Sequence, residues 1–433
     1  MKKLKILFLT DNFPPESNAP ANRTYEHCCE WLKQGAEVTV ITCNPNFPKG
    51  KLYPGYSNKI YQEESMDGIR VIRVWTYITP NRGTIKRILD YLSFALMSFF
   101  ASIFIKTDII IATSPQLFTA VGGYLASVLK RRPWIMEVRD LWPESIQAVD
   151  AINNHLILKY LEKLVRFLYK SANCIVVVTD TFKSRISAEG INPDKIVVVK
   201  NGVNSQRYHE LSIDLQLKYR LGLQDKFVVG YIGTHGLAHN LDFILHCAKH
   251  FKEQNTHFLF IGDGAHKERL KAKVEEECIH NVSMLDPVPR DMVPDYINLC
   301  DVALVPLKKS DTFKTVIPSK IFENAAMRKP ILLGVEGEAQ EIIENYRAGL
   351  CFEPKNELDF IDKLTQLREN PELYLMCQDG CTDLASEFSR QNLAEKMMIS
   401  MKKTVNGSQK TSNPAKEWIP VALPPEERIE VEI

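Results

Sequence analysis

Short apolar runs separated by longer amphipathic stretches recur along the chain. Residues 4–10 form the first, apolar and β-branched; 37–42, 71–75, 108–112, 134–138, 174–179 and 196–199 follow. Between them lie helical patterns, such as the one over 21–34 that stops at Gly35. Short apolar strands alternating with helices predict βαβ units and a parallel sheet covered on both faces. The pattern restarts after Asn201-Gly202, with strands expected at 227–233, 258–262, 282–285, 302–305 and 330–334. The fold class is therefore α/β, with two Rossmann-like doubly wound domains over residues 1–202 and 203–401. Sheets of this kind bind ligands outside the carboxyl ends of their strands, so a cleft between the domains is the expected site.

Two stretches depart from this pattern. Residues 91–105 are apolar on nearly every face and flanked by Lys86, Arg87 and Lys106. The run falls short of the ~20 residues of a spanning helix, and Asp90 interrupts its extension. It predicts either a buried helix or one lying in a membrane interface, with Phe94, Phe99, Phe100 and Phe104 as bare aromatics. Residues 402–433, rich in Ser, Asn, Gly, Pro and Lys, predict a flexible tail with a short docking segment at Trp418-Ile-Pro-Val.

Composition narrows the classes. With 45% hydrophobic and 25% charged residues, the chain is neither wholly disordered nor a polytopic membrane protein. Lys and Arg number 54 against 53 Asp and Glu, which gives no polyelectrolyte surface for nucleic acid. The first residues lack the apolar stretch and cleavage site of a signal peptide. The ten scattered cysteines include no Cys-x-x-Cys pair and read as reduced core residues of a cytoplasmic protein.

Four segments bear candidate chemistry. Gly233-Thr234-His235-Gly236-Leu-Ala-His239 follows a strand and precedes an amphipathic helix. Read alone, it is either a plain turn or an anion site of free amides with histidine donors. In residues 315–330, Lys320 and Glu323 share a helix face, as an exposed ion pair or as a phosphate contact with a ribose-binding carboxylate. Arg139, Asp140 and Glu144 crowd around Trp142 at a strand end, suited to sugar hydroxyls or to a structural ion pair. Finally, His235/His239 and His246/His250 have i,i+4 spacing but lack the Glu of a zinc-protease motif, and no metal site is expected.

Together these segments resemble the family 4 retaining glycosyltransferases of the GT-B fold. The carriers are Asp140-Leu-Trp-Pro-Glu-Ser, Asn201-Gly-Val, Gly233-Thr-His-Gly, Gly262-Asp-Gly, Val288-Pro-Arg, Val305-Pro-Leu, Pro318-Ser-Lys-Ile-Phe-Glu and Gly337-Glu-Ala, in the family's order. Gly233-Thr-His-Gly-Leu-Ala-His is most similar to the subgroup with N-acetyl-L-fucosamine transferases of bacterial O-antigen and capsule assembly. The resemblance implies a UDP-sugar as donor substrate, no other cofactor, retention at the anomeric carbon and no required metal. Glu323 would hold the ribose. Val316, Ile317, Ser319 and Lys320 would meet the diphosphate and donor sugar, alongside Gly233, Thr234, His235, Gly236, His239 and Gly262. The backbone at Val288 would meet the uracil, and Asp140, with Arg139, the transferred sugar. The implied acceptor is a sugar on a polyprenyl diphosphate at the cytoplasmic face of the membrane, which residues 86–106 would touch.

The chain departs from the family pattern at three places. Thr315 stands where the first Glu of the Glu-x7-Glu pattern is usual, Thr234 and His239 where an Arg and a Lys are common, and Ala19-Pro-Ala where a Gly pair is frequent. Lys320 and the histidines are expected to take over part of the phosphate role. A UDP-sugar 2-epimerase and a donor-binding, non-catalytic subunit are the competing readings.

Overall fold

In a computed structural model, residues 3–16, 18–47, 49–79, 84–114, 116–143 and 154–411 are described. Glu144 and the Trp418 segment lie outside them.

The first sheet has eight strands: β1 (Lys5–Leu9), β2 (Glu37–Cys43), β3 (Tyr61–Met66), β4 (Ile69–Val74), β5 (Ile109–Thr113), β6 (Trp134–Val138), β7 (Cys174–Val177) and β8 (Ile196–Val198). Their order is β3-β4-β2-β1-β5-β6-β7-β8, parallel except where β3 pairs antiparallel with β4. The second sheet is parallel throughout: β9 (Phe227–Ile232), β10 (Thr256–Ile261), β11 (Val282–Leu285), β12 (Val302–Pro306), β13 (Ile331–Gly334) and β14 (Gly349–Cys351), in order β11-β10-β9-β12-β13-β14. Two strands escape the sequence reading. β3 is a half-exposed edge with the polar pattern Tyr-Gln-Glu-Glu-Ser-Met, and β14 has only three residues.

Alternation along β1 shows how the first domain buries both faces. Leu7 and Leu9 enter one core with the helices Thr84–Ile103, Leu117–Lys130 and His155–Ser171. Ile6 and Phe8 enter the other, with Trp31 of the helix Ala19–Lys33. That second core is completed from the far end of the chain. Leu393, Ala394, Met397, Met398 and Met401 form one stripe of the helix Arg390–Thr411 and are buried in it. The Trp31 indole N–H donates to the carbonyl of Ala394 at 3.0 Å.

This helix corrects the expected tail boundary. It runs unbroken past residue 402, with Val405 packed on the first domain's core. The polar composition there reflects a surface helix buried on one face. The aromatic reading of residues 91–105 is also corrected. Phe94 is buried and Phe99 packs on the core, while Phe100 and Phe104 remain exposed. All ten cysteines are free thiols.

Because the last helix supplies core to the first domain, Met397→Ala should destabilise it by about 2–5 kcal/mol, read from urea unfolding. An unchanged midpoint would contradict this packing.

Candidate functional site

In the second domain the strand ends converge on one turn. β9 runs into Gly233 and β10 into Gly262, both at positive φ. A Cβ on Gly262 would stand 1.9 Å from the Gly233 carbonyl oxygen, so the two strand ends approach as closely as backbone allows. A Cβ on Gly233 would stand 2.2 Å from Lys320 Nζ and Cε. The space left by the missing side chain is where the lysine lies.

Lys320 opens the short helix Lys320–Ala326. Its ammonium lies 5.2 Å from the centre of the Tyr231 ring, a cation–π distance. The Tyr231 hydroxyl donates to the Thr234 carbonyl at 2.6 Å, which fixes both the ring and the turn. Burial lowers the Lys320 pKa and raises that of Glu323, each opposed by the other's charge. The Glu323 carboxylate makes no hydrogen bond among the described residues, while its amide donates to the Ser319 carbonyl, so the carboxylate is available to a ligand. The amides of Thr234, Gly236, Ile317 and Ser319 donate to no group among the described residues. Four free amides, one lysine and one carboxylate thus lie on the Gly233 turn and the segment 317–323, which Lys320 brings together beside the end of β9.

The two histidines differ from the expectation. His235 is fully buried beneath the turn, its amide donating to Asp263 at 2.8 Å and its carbonyl accepting from His266 at 3.0 Å. Both of its ring nitrogens lack partners, and the ring packs 5.9 Å from Tyr231. Its ring is a buried plug, closed off from a ligand in this conformation. His239 is half-buried, with Nδ1 unpartnered. Burial first, and then the neighbouring lysines, bring both imidazoles down to about 4. Both are neutral near pH 7, so Lys320 carries the positive charge of this cluster. Ile317 is also buried, leaving only its backbone to face a ligand, whereas Val316 and Thr234 are exposed and Val288 is half-buried.

Arg139 and Asp140 stand at the end of β6 in the first domain. The Arg139 amide donates to Ser114 at 2.8 Å. Burial raises the Asp140 carboxyl pKa, with Arg139 opposing. No hydrogen bond or ion pair among the described residues joins this pair to the Lys320 cluster. They share the strand-end edge of the first sheet with groups the sequence reading left unassigned. Asp11 follows β1, accepts from Asn12 and from Gln116 at 2.5 Å each, and keeps one buried oxygen unpartnered. Burial pushes Asp11 up to about 6, and Glu16 and Asp90 up to about 7. The signal was present in the polar loop Asp11-Asn-Phe-Pro-Pro-Glu, directly after an apolar strand.

Two bridges join the domains, and the sequence reading gave neither a role. Glu26 of the first helix accepts from Arg390 at 2.8 Å and lies 3.7 Å from Arg290, which also donates to Asn22. On the opposite side, Glu338 is buried and accepts from the amides of Asp180 and Thr181 at 2.9 and 3.1 Å, and from Lys200 at 2.6 Å. Its charge sits at the N-terminus of the helix Asp180–Ala188, the favourable end of that dipole. Arg290 and Glu338 belong to the Val288-Pro-Arg and Gly337-Glu-Ala segments quoted above.

Comparison with known proteins now decides the family. The glycosyl transferase 4-like domain family matches residues 18–202, and the family of glycosyl transferases group 1 matches residues 216–380. The chain is a GT-B, family 4-like glycosyltransferase. WcaI of Escherichia coli K12, a glycosyl transferase ascribed to colanic acid biosynthesis, is 25% identical over 367 residues, covering 82% of this chain and 89% of WcaI. The fold is shared with sucrose-phosphate synthase of Thermosynechococcus elongatus (TM-score 0.71, 12% identity, 94% and 100% of the two chains). It is also shared with Anabaena HepE, solved with UDP-glucose (TM-score 0.64, 14% identity, 92% and 100%).

The buried imidazole gives a pH prediction. His235 is held near 4 when folded, against about 6.5 in the unfolded chain. Between those values the unfolded state binds more protons, so this stabilisation is full above about pH 6.5 and is lost as pH falls towards 4. His235→Phe should flatten that part of the urea-midpoint profile. An identical slope in wild type and variant would contradict the burial.

Proposed function

We propose that this glycosyltransferase moves a sugar from a UDP-sugar to a lipid-linked saccharide in bacterial surface polysaccharide assembly, with retention at the anomeric carbon. N-acetyl-L-fucosamine or a related N-acetylated sugar heads the donor candidates. The observation that carries the reading is the Lys320 cluster: a half-buried ammonium, free amides and a Glu323 carboxylate without a hydrogen bond at converging strand ends. That set suits a diphosphate and a ribose. HepE, which shares the fold, was solved with UDP-glucose, and WcaI, a relative across most of both chains, is ascribed to colanic acid biosynthesis.

Breaking a sugar–diphosphate bond leaves negative charge on the departing phosphate and positive charge on the sugar ring. Lys320 and the amides of Thr234, Gly236, Ile317 and Ser319 stabilise the former in a site screened from water. Glu323 accepts the ribose hydroxyls, and the backbone at Val288 borders the base. Across the cleft, Asp140 and Arg139 meet the transferred sugar, and Asp11 and Gln116 offer buried, unpartnered oxygens to acceptor hydroxyls. The acceptor attacks from the face the phosphate leaves, so the phosphate itself takes the acceptor proton.

A surface on the first domain supports a lipid-borne acceptor. Leu89, Leu92, Leu96 and Phe100 form an exposed stripe on the helix Thr84–Ile103, followed by Phe104. Leu125, Val128 and Leu129 extend it on the helix Leu117–Lys130, which packs against the first. Lys86, Lys106, Arg131 and Arg132 are exposed on the same two segments. Among the described residues no helix is long and apolar enough to cross a membrane. Apolar side chains beside lysines and arginines fit peripheral attachment to an anionic leaflet, here the cytoplasmic face of the membrane.

UDP release from a panel of UDP-sugars, UDP-N-acetyl-L-fucosamine first, should require both donor and lipid-linked acceptor, and Lys320→Ala should lower kcat by about 100-fold or more. Epimer formation without acceptor, or donor binding without turnover, would establish instead the epimerase or the partner subunit; Thr315 at the usual glutamate position favours the latter of these two. In flotation, wild type should rise with anionic vesicles and the Leu92→Ser/Leu96→Ser/Phe100→Ser variant should stay in solution. Wild type remaining soluble with every vesicle would overturn the attachment.

A further inference from the structure

Away from the cleft, three ligand-type side chains converge at the far end of the helix that follows the Gly233 turn. His246 lies in the last turn of the helix Leu241–Ala248, and His250 in the 3-10 turn that continues it. Their i,i+4 spacing puts both imidazoles on one face. Glu357, in the first turn of the helix Glu357–Glu369, comes from 107 residues further along the chain. Both histidine Nε2 atoms point at the same carboxylate oxygen, His250 at 2.5 Å and His246 at 3.1 Å. One ligand atom from each of the three residues falls within 4.8 Å of the others. Ligand atoms about 2.0–2.2 Å from a tetrahedral zinc ion stand roughly 3.3 Å apart, so a small rotamer change suffices to receive one.

The surroundings do not oppose a cation. Lys249, the one positive side chain between the two histidines, is turned to Glu277 at 2.5 Å. The histidines are exposed, so the site is reached directly from solvent. We propose that His246, His250 and Glu357 bind a borderline divalent cation of the Zn2+ class, with the fourth position open to water. Two imidazoles with one carboxylate favour Zn2+ over the hard cations Mg2+ and Ca2+, which take oxygen ligands. The bound ion ties the end of the helix Leu241–Ala248 to the start of the helix Glu357–Glu369. Helical spacing alone misses this site because its third ligand is remote in sequence.

Chelator-treated full-length protein titrated with ZnCl2 should bind one equivalent that Mg2+ does not displace. His250→Ala and His246→Ala should each weaken that binding at least about tenfold, Glu357→Gln should weaken it too, and Cys278→Ser at the exposed cysteine should leave it intact. With Co2+ as probe, the visible bands should be those of a nitrogen–oxygen site, without a thiolate charge-transfer band. Circular dichroism confirms that each variant is folded. Zinc affinity unchanged in both histidine variants, or a thiolate band that disappears in a cysteine variant, would overturn the proposal.

Discussion

The candidate site depends on one close approach. β9 and β10 end in glycines whose backbones nearly touch, and any side chain at Gly262 would force them apart. The absence of a side chain at Gly233 gives Lys320 its place above Tyr231, and the Tyr231 hydroxyl holds the turn through Thr234. A positive charge, free amides and a carboxylate are thereby assembled with little protein between them. The buried His235 fills the space beneath without adding charge. A site of this kind is set before ligand arrives, which is where electrostatic stabilisation of a leaving phosphate is most effective.

The same economy governs the junction between domains. Glu26 holds Arg390 and Arg290, while Glu338 holds Lys200 and the start of the helix Asp180–Ala188. Both carboxylates reach across the domain boundary, one on each side. The helix Arg390–Thr411 then returns to bury its methionines in the first domain, so the chain crosses between domains twice. Ion pairs on both carboxylates and the apolar stripe of the last helix thus tie the two domains together.

Much of the fold was legible because parallel strands buried on both faces are written as apolar runs. β1, β2, β9 and β11 are visible this way; β3, a polar edge strand, and β14, three residues long, are not. The helix after residue 402 was hidden because a helix buried on one face reads as polar by composition. At the site, the glycine turn and the Lys320–Glu323 pair were legible from spacing. What could not be read is how burial changes chemistry. His235 looked like a phosphate donor and is an enclosed neutral ring, while Asp11, Glu16 and Asp90 come together only when distant segments meet. Long-range pairs such as Arg290–Glu26 are invisible for the same reason.

The central claim is that the second domain holds a nucleoside diphosphate between the Gly233 turn and the Lys320 segment. Amide hydrogen exchange with and without UDP tests it most directly. The account predicts slowed exchange at residues 233–239 and 316–323, with the amide of Val288 next and the edge strand β3 (Tyr61–Met66) unchanged. Protection confined to the first domain, or none at saturating UDP, would contradict it.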